Sequence, residues 1–187
     1  MSRTPSRIPL VTDPAASPDA AALLERTRAA LGRVPNLYAA LANSPAALAG
    51  YLGFREALVH GLLPQPLREA IALLVAEDNA CDYCVAAHTY RGARLGMTPD
   101  DLARARRADA TDARTAAALA FVHTISRGRG PISDDQLARA RATGWTDAEL
   151  LEMIGHVALN VFSNYVNHVA APPLDFPPAP PLDAPAR

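Results

Sequence analysis

The amino-acid sequence predicts an all-α protein. No stretch combines sustained alternation of apolar and polar residues with an enrichment in β-branched side chains, so no segment is predicted to be a strand. Helix start and stop signals, in contrast, recur along the whole chain. Ser, Thr, Asp and Pro precede the helical segments, and Gly or Pro follows them.

Each helix is predicted from its own boundaries. Thr98-Pro99-Asp100-Asp101 is the clearest start, with an N-cap, a proline at the first helical position and acidic first-turn residues. Residues 70–76 are apolar on every side, so the helix that contains them is predicted to be buried. The predicted helices cover about residues 18–32, 44–61, 67–78, 81–96, a segment that begins at 98, 111–127, 133–142 and 146–169.

The predicted organisation is one helical domain with two proline-containing ends. Residues 1–17 have little periodic apolar signal and are predicted to form an extended arm. Residues 18–170 form the domain, with a core unit at about 64–96. Residues 171–187 are too rich in proline to be helical, and Phe176 is expected to anchor this tail on a partner surface.

A weak internal repeat suggests a duplicated helical hairpin. Glu69 to His88 and Glu149 to His168 have the same length and begin and end with the same residue types. Only the first copy contains cysteines. The alternative is coincidence in an alanine-rich sequence.

Composition excludes several function classes. The 187 residues carry a net charge of −1, which gives no electrostatic case for binding nucleic acid or an anionic membrane. No apolar run approaches the roughly 18 to 20 residues of a membrane span, and no secretory segment is recognised at the start. A cytoplasmic protein is therefore expected. In such a protein a lone C-x-x-C is expected to be catalytic or metal-binding rather than a structural disulfide.

The chain has two cysteines, Cys81 and Cys84, and His88 follows four residues later. On a helix these three positions fall within an arc of about 60°, so one face carries two thiols and an imidazole. A thiol needs a base or a positive potential to become the reactive thiolate, and a second thiol one turn away can close a disulfide. The alternatives are two buried apolar cysteines, or a zinc site in which only these three ligands are available.

Neighbouring side chains extend this candidate site. His88 is predicted to accept the thiol proton, and Glu69 and Glu77 are two carboxylates that could orient it, between which local reasoning does not choose. The hydroxyl of Tyr83 could donate to a thiolate or to a peroxide oxygen, and packing is an equal alternative. The remaining histidines without a partner pattern, His60, His123 and His156, are predicted to be structural.

The residues resemble the carboxymuconolactone decarboxylase/alkylhydroperoxidase superfamily, and within it the AhpD-like, peroxidase-related branch. The resemblance rests on a glutamate, eleven residues, then C-x-x-C-x-x-x-H, which here runs from Glu69 to His88. Gly32 to Leu37 and Asn164 to Pro177 are also similar to that branch, so the resemblance covers about residues 30–178.

The resemblance implies roles for individual residues. Cys84 matches the peroxide-attacking cysteine, Cys81 the resolving cysteine, His88 the histidine of the proton relay, and Glu69 rather than Glu77 the family glutamate. Tyr83 is a departure, because well-studied AhpD-type enzymes have a histidine between the cysteines. An all-α oligomer is implied.

The sequence thus predicts a cytoplasmic thiol peroxidase or disulfide oxidoreductase with candidate catalytic residues Cys84, Cys81, His88, Glu69 and Tyr83. No cofactor or metal is expected. The expected partners are a peroxide, an external dithiol reductant such as a lipoyl protein, and further copies of the chain, without nucleic acid or membrane. The alternatives are a zinc-dependent lyase or hydrolase and a non-catalytic redox-sensing oligomer.

Overall fold

A computed structural model describes residues 6–12 and 18–182. These residues contain helices and connecting loops and no strand, which confirms the all-α prediction. The helices are α1 (Pro18–Leu31), α2 (Asn36–Leu41), α3 (Pro45–Val59), α4 (Gln65–Asp78), α5 (Asp82–Arg94), α6 (Pro99–Arg106), α7 (Ala113–Gly128), α8 (Asp134–Ala142) and α9 (Asp147–Ala170).

The predicted starts of the helices agree with the observed caps. The Thr98 hydroxyl accepts a hydrogen bond from the Asp101 N–H, and the Asp101 carboxylate accepts one from the Thr98 N–H. Ser133 and Thr146 make the same reciprocal arrangement at α8 and α9. The sequence did not predict α2, which follows Pro35 without a side-chain cap and is one and a half turns long.

Helix α4 is the centre of the fold. It packs against α5, α6, α7 and α9. Ile71 and Val75 on one side of it and Leu73 on the opposite side are completely buried. Each such side chain contributes about 1.5 to 3 kcal/mol of transfer free energy when it is removed from water. The buried helix predicted from the apolar run is therefore confirmed, and it holds α5 and α9 in fixed positions.

The predicted duplicated hairpin is wrong. Residues 69–88 form the end of α4, a turn and the start of α5, whereas residues 149–168 lie within one continuous helix, α9. The first segment breaks because Ala80 adopts a positive φ of 51° between the two helices. The equivalent stretch of the second segment, Leu159-Asn160-Val161, continues the helix instead.

Both ends of the described chain pack on the helical domain. The Ser6 hydroxyl and the Arg7 N–H donate to the Ala170 carbonyl at the end of α9. Phe176 lies against Tyr83 and Tyr90 of the same chain. Phe176 therefore anchors the tail on its own chain, and the expected contact of this tail with a partner surface stays a prediction. The rest of the predicted arm and the last five residues lie outside the described residues.

Among residues 6–12 and 18–182, no helix has both the length and the apolarity that crossing a membrane requires.

Candidate active site

A tight connection between α4 and α5 positions the cysteines. After Ala80, the Cys81 N–H donates to the Ala76 carbonyl at 2.9 Å, which ties the connection back to α4. Cys81 is the N-cap of α5, and its carbonyl accepts the first intrahelical hydrogen bond, from Val85. The prediction that Cys81 stands at the start of its helix is therefore confirmed.

Cys81 and Cys84 are joined by a disulfide, with their Cα atoms 5.3 Å apart. Both residues are buried, at 2% and 3% exposure. The pair occupies the first turn of α5, where backbone N–H groups lack intrahelical acceptors and the helix dipole is positive. This environment favours a negative charge on sulfur, and burial opposes it.

Asn167 of α9 approaches the disulfide from the other side. Its side-chain N–H donates to the sulfur of Cys84 at 3.1 Å. The neighbouring Asn164 accepts a hydrogen bond from Asn79 at 2.9 Å, so α9 also holds the turn between α4 and α5. Sequence reasoning missed Asn167 as a site residue, because no local pattern links positions 83 residues apart.

Glu69 of α4 meets His88 of α5 directly. The distance between Glu69 Oε2 and His88 Nδ1 is 2.6 Å, and both side chains are largely buried. A carboxylate accepts hydrogen bonds, so this contact assigns the proton to Nδ1 and leaves Nε2 as an acceptor. Arg91 lies 3.5 Å from Nε2 and 4.0 Å from Glu69. The i, i+3 spacing of His88 and Arg91 was a local signal for this contact, and it was missed.

Burial and charge set the protonation of this group. Burial raises the pKa of Glu69, but the charges of His88 and Arg91 and the hydrogen bond from His88 outweigh it and lower the pKa to about 2. Burial, helped by Arg91 and opposed by Glu69, lowers the pKa of His88. The lowered pKa of Glu69 depends on a positively charged His88, whereas the lowered pKa of His88 itself favours a neutral ring. The two pKa shifts therefore disagree about the charge on His88. Since Arg91 alone offsets the carboxylate and the ring is enclosed, we assign a neutral His88 beside an ionised Glu69.

The His88 ring makes no hydrogen bond to the sulfur of Cys84 in the described part of this disulfide state. Among the described residues, its hydrogen bonds go to Glu69 and Arg91, and Cys84 receives its hydrogen bond from Asn167. The helical spacing does place His88 one turn after Cys84, as predicted. The hydrogen bond expected between the two side chains is not among those of the described residues, and His88 Nδ1 is bound to Glu69 instead.

Tyr83 points away from the cysteines. Its hydroxyl donates to Asp175 Oδ2 and accepts from the Leu37 N–H at 3.3 Å. Burial, followed by the hydrogen bond to Asp175, raises the pKa of this phenol. In this conformation Tyr83 connects α5 to the C-terminal tail, and its hydroxyl is not available to a peroxide at the sulfur.

A small cavity of about 130 Å³ adjoins Glu69 and His88. His156 of α9 lines it, and its buried Nε2 has no hydrogen-bond partner among the described residues. Burial, assisted by Arg68, lowers the pKa of His156 to about 4, so this ring is neutral at pH 7. The sequence assigned His156 a structural role and gave no sign that it faces the same cavity as His88.

The other candidates lie elsewhere. Glu77 pairs with Arg106 at 2.8 Å, and His123 lies 3.1 Å from Asp78. In the described part of the chain, no group of three or more His, Cys, Asp or Glu side chains is arranged to hold a metal ion.

Residues 45–127, which include the whole α4–α5 unit, match the model of the carboxymuconolactone decarboxylase family. No protein with a curated description matches the chain.

Solved structures share the fold at low sequence identity. An uncharacterized peroxidase-related protein from Ralstonia eutropha JMP134, described as an alkylhydroperoxidase AhpD core, superposes with a TM-score of 0.80 at 22% identity over 95% of this chain and 94% of that one. A peroxidase-related protein from Silicibacter sp. TM1040 gives 0.77 at 23% identity, over 95% and 93%. The debrominase Bmp8, in complex with 2,3,4-tribromopyrrole, gives 0.75 at 18% identity, over 91% and 94%. At these identities the likeness establishes the AhpD-like fold.

Proposed function

We propose that this chain, whose residues 45–127 match the model of the carboxymuconolactone decarboxylase family, is a thiol peroxidase that cycles between a dithiol and a disulfide at Cys81 and Cys84. The observation that carries the proposal is the disulfide in the first turn of α5, beside the Glu69–His88 pair. The superfamily fold is shared with enzymes, which agrees with a catalytic role.

The first chemical step is assigned to Cys84. Its thiolate attacks the terminal oxygen of a hydroperoxide, an S–O bond forms, and the O–O bond breaks. Sulfur is oxidised to a sulfenic acid, and the peroxide is reduced to an alkoxide that takes up a proton and leaves as the alcohol. The Asn167 N–H supports this choice, because it donates to the Cys84 sulfur, whereas the start of α5 favours a negative charge on either cysteine.

Cys81 resolves the sulfenic acid. Its thiol attacks the Cys84 sulfur, the S–S bond forms, the S–O bond breaks, and water leaves with the thiol proton. An external dithiol then returns two electrons and two protons to the disulfide, and we propose a lipoyl-type dithiol for this step. The Cα separation of 5.3 Å lies within the usual range for a disulfide.

His88 is the proton carrier in this proposal, and Glu69 is a positioning residue. With Nδ1–H donated to Glu69, Nε2 is the atom that takes the proton of the reduced Cys84 thiol and returns it to the leaving alkoxide. The contact of Nε2 with Arg91 is long, at 3.5 Å, so a thiol can replace it once the disulfide opens.

Quantitative thiol titration tests the redox cycle. Reduced, unfolded protein is expected to present two thiols per chain, and protein treated with one equivalent of hydrogen peroxide before unfolding is expected to present none. The Cys81→Ser variant serves as the control, because it retains one sulfur and has no resolving partner. Two titratable thiols in the wild-type chain after oxidation would exclude the proposed cycle.

A further inference from the structure

A second, larger cavity lies on the other side of Arg91. It has a volume of about 650 Å³, within the range of small-molecule sites, and Tyr83 and Ala87 of α5 form part of its wall. The cysteines do not line it. Its composition is unlike that of the chain as a whole, because the lining combines aromatic rings with guanidinium groups.

The aromatic rings that line the cavity form two groups. Tyr38 and Tyr51 pack edge to face at 5.7 Å between centroids, and Phe176 contacts Tyr83 at 6.2 Å and Tyr90 at 5.4 Å. Aromatic walls of this kind favour a planar apolar ligand, which can stack against the ring faces or pack against the ring edges.

The charged lining is predominantly positive. One carboxylate faces the cavity, and it is already engaged, since Asp175 accepts from the Asn36 N–H at 2.6 Å and from the Tyr83 hydroxyl. The arginines that line the cavity are Arg33, Arg55, Arg91 and Arg94. In a chain with a net charge of −1, this local excess of positive charge attracts an anion.

The four arginines are not equivalent. Arg33 lies over the Phe176 ring at 4.7 Å, and Arg94 lies over Tyr90 at 5.7 Å. Arg55 and Arg91 have no such ring contact among the described residues, and both also line the small cavity beside His88. Arg55 makes no hydrogen bond or ion pair within the described part of the chain. Arg55 and Arg91 are thus the two guanidinium groups that can receive a ligand oxyanion.

We propose that this cavity binds a planar aromatic carboxylate, with its ring among the tyrosines and Phe176 and its carboxylate on Arg55 and Arg91. A singly charged group fits best, because Glu69 already offsets Arg91 at 4.0 Å and leaves Arg55 as the uncompensated charge. The site is separate from the thiols, so the proposal does not depend on peroxide chemistry.

Titration calorimetry with 2-naphthoate as the probe tests the site on the oxidised, full-length protein. One saturable site per chain is expected. The neutral isostere 2-naphthamide is expected to bind about tenfold or more weakly, since a charge-assisted hydrogen bond is lost. Equal affinity for the two probes would overturn the assignment of an anion site. Tighter binding of 2-naphthyl phosphate than of 2-naphthoate would overturn the preference for a single charge.

Variants locate the binding site. Arg55→Gln is expected to weaken 2-naphthoate about tenfold and to leave 2-naphthamide unchanged, whereas Tyr90→Ala is expected to weaken both probes. Arg139→Gln is the matched control, because Arg139 is an exposed arginine of α8 that lies outside this cavity. An unchanged affinity in Arg55→Gln, or an equal loss in Arg139→Gln, would overturn the proposal. Circular dichroism of each variant checks that the fold is intact.

Discussion

The side chain of Asn167 donates a hydrogen bond to the sulfur of Cys84 across 83 residues of sequence. This contact joins α9 to the cysteines at the start of α5. The contact distinguishes the two cysteines, because among the described residues Cys84 Sγ accepts a side-chain hydrogen bond and Cys81 Sγ does not. The same contact would stabilise a thiolate after reduction, which supports Cys84 as the attacking residue.

The pair formed by Glu69 and His88 is predicted to lower the pKa of the Cys84 thiol. His88→Ala should therefore raise the pH midpoint of Cys84 alkylation, and Glu69→Gln should raise it less, since Glu69 acts through the imidazole. A midpoint that rises by one pH unit corresponds to a loss of about 1.4 kcal/mol of thiolate stabilisation. The measurement is the pH dependence of iodoacetamide alkylation in the Cys81→Ser background.

Two comparisons sharpen this test. The double variant should resemble His88→Ala if the two residues act as one unit. Asn167→Ala removes a separate donor, so its effect should add to that of His88→Ala. Wild-type midpoints in both His88→Ala and Glu69→Gln would rule out the proposed relay.

Tyr83 is predicted to stabilise the fold rather than to act on peroxide. Tyr83→Phe removes the hydroxyl that donates to Asp175, a side chain that is largely buried, so a loss of about 1 to 3 kcal/mol in the free energy of unfolding is expected. Urea denaturation of the variant and of the wild-type protein measures this loss. A stable Tyr83→Phe variant with greatly reduced peroxide turnover would instead support the catalytic role that the sequence analysis considered beside packing.

Acid stability should depend on His156. Burial and Arg68 lower its pKa from 6.5 to about 4, against the weaker opposing effects of Glu152 and Glu69. Between pH 6.5 and pH 4, His156 is therefore protonated in the unfolded chain and neutral in the folded chain. The free energy of unfolding consequently falls as the pH drops from 6.5 to 4. His156→Gln should reduce the stability difference between pH 7 and pH 5 by about 2 kcal/mol. Urea midpoints measure it, and the exposed His60→Gln should behave as wild type.

The chain is predicted to form a homo-oligomer through α9. Leu151 and Val169 are 68% and 61% exposed, and they lie five turns apart on the same side of this helix, with Tyr165 at 58% nearby. An apolar stripe of this length on a surface helix indicates a partner. Light scattering of the wild-type protein should give a molar mass that is a multiple of 19.8 kDa, and Leu151→Asp should lower this mass. The control is Ala138→Asp on α8. A wild-type mass near 20 kDa at micromolar concentration would contradict the prediction.

Local signals in the sequence were sufficient for most of the fold. Caps such as Thr98 and stops such as Gly96 act within one turn, so they mark helix ends without knowledge of the tertiary structure. Helix α2 was not predicted because its start has no capping side chain and its residues are stabilised by burial under the rest of the protein. The repeat was misread because residue types at two ends say nothing about the backbone between them.

The site was predictable only in part. The spacing of Cys81, Cys84 and His88 fixes their common helix, and that helix is present. The choice of Glu69 over Glu77 came from the family resemblance, and Glu69 is the carboxylate that contacts His88. The contacts of Asn167 with Cys84 and of Asp175 with Tyr83 depend on how distant helices and the tail pack, which residue spacing does not encode.

Turnover of hydrogen peroxide with dihydrolipoamide as the reductant tests the central claim most directly. The wild-type protein should consume many equivalents of peroxide per chain. Cys84→Ser should consume none above the uncatalysed rate. Cys81→Ser, assayed without the reductant, should consume one equivalent, with a sulfenic acid at Cys84 detected by mass spectrometry. Multiple turnover by Cys84→Ser, or a single equivalent consumed by that variant and none by Cys81→Ser, would contradict the assignment of Cys84 as the attacking thiol.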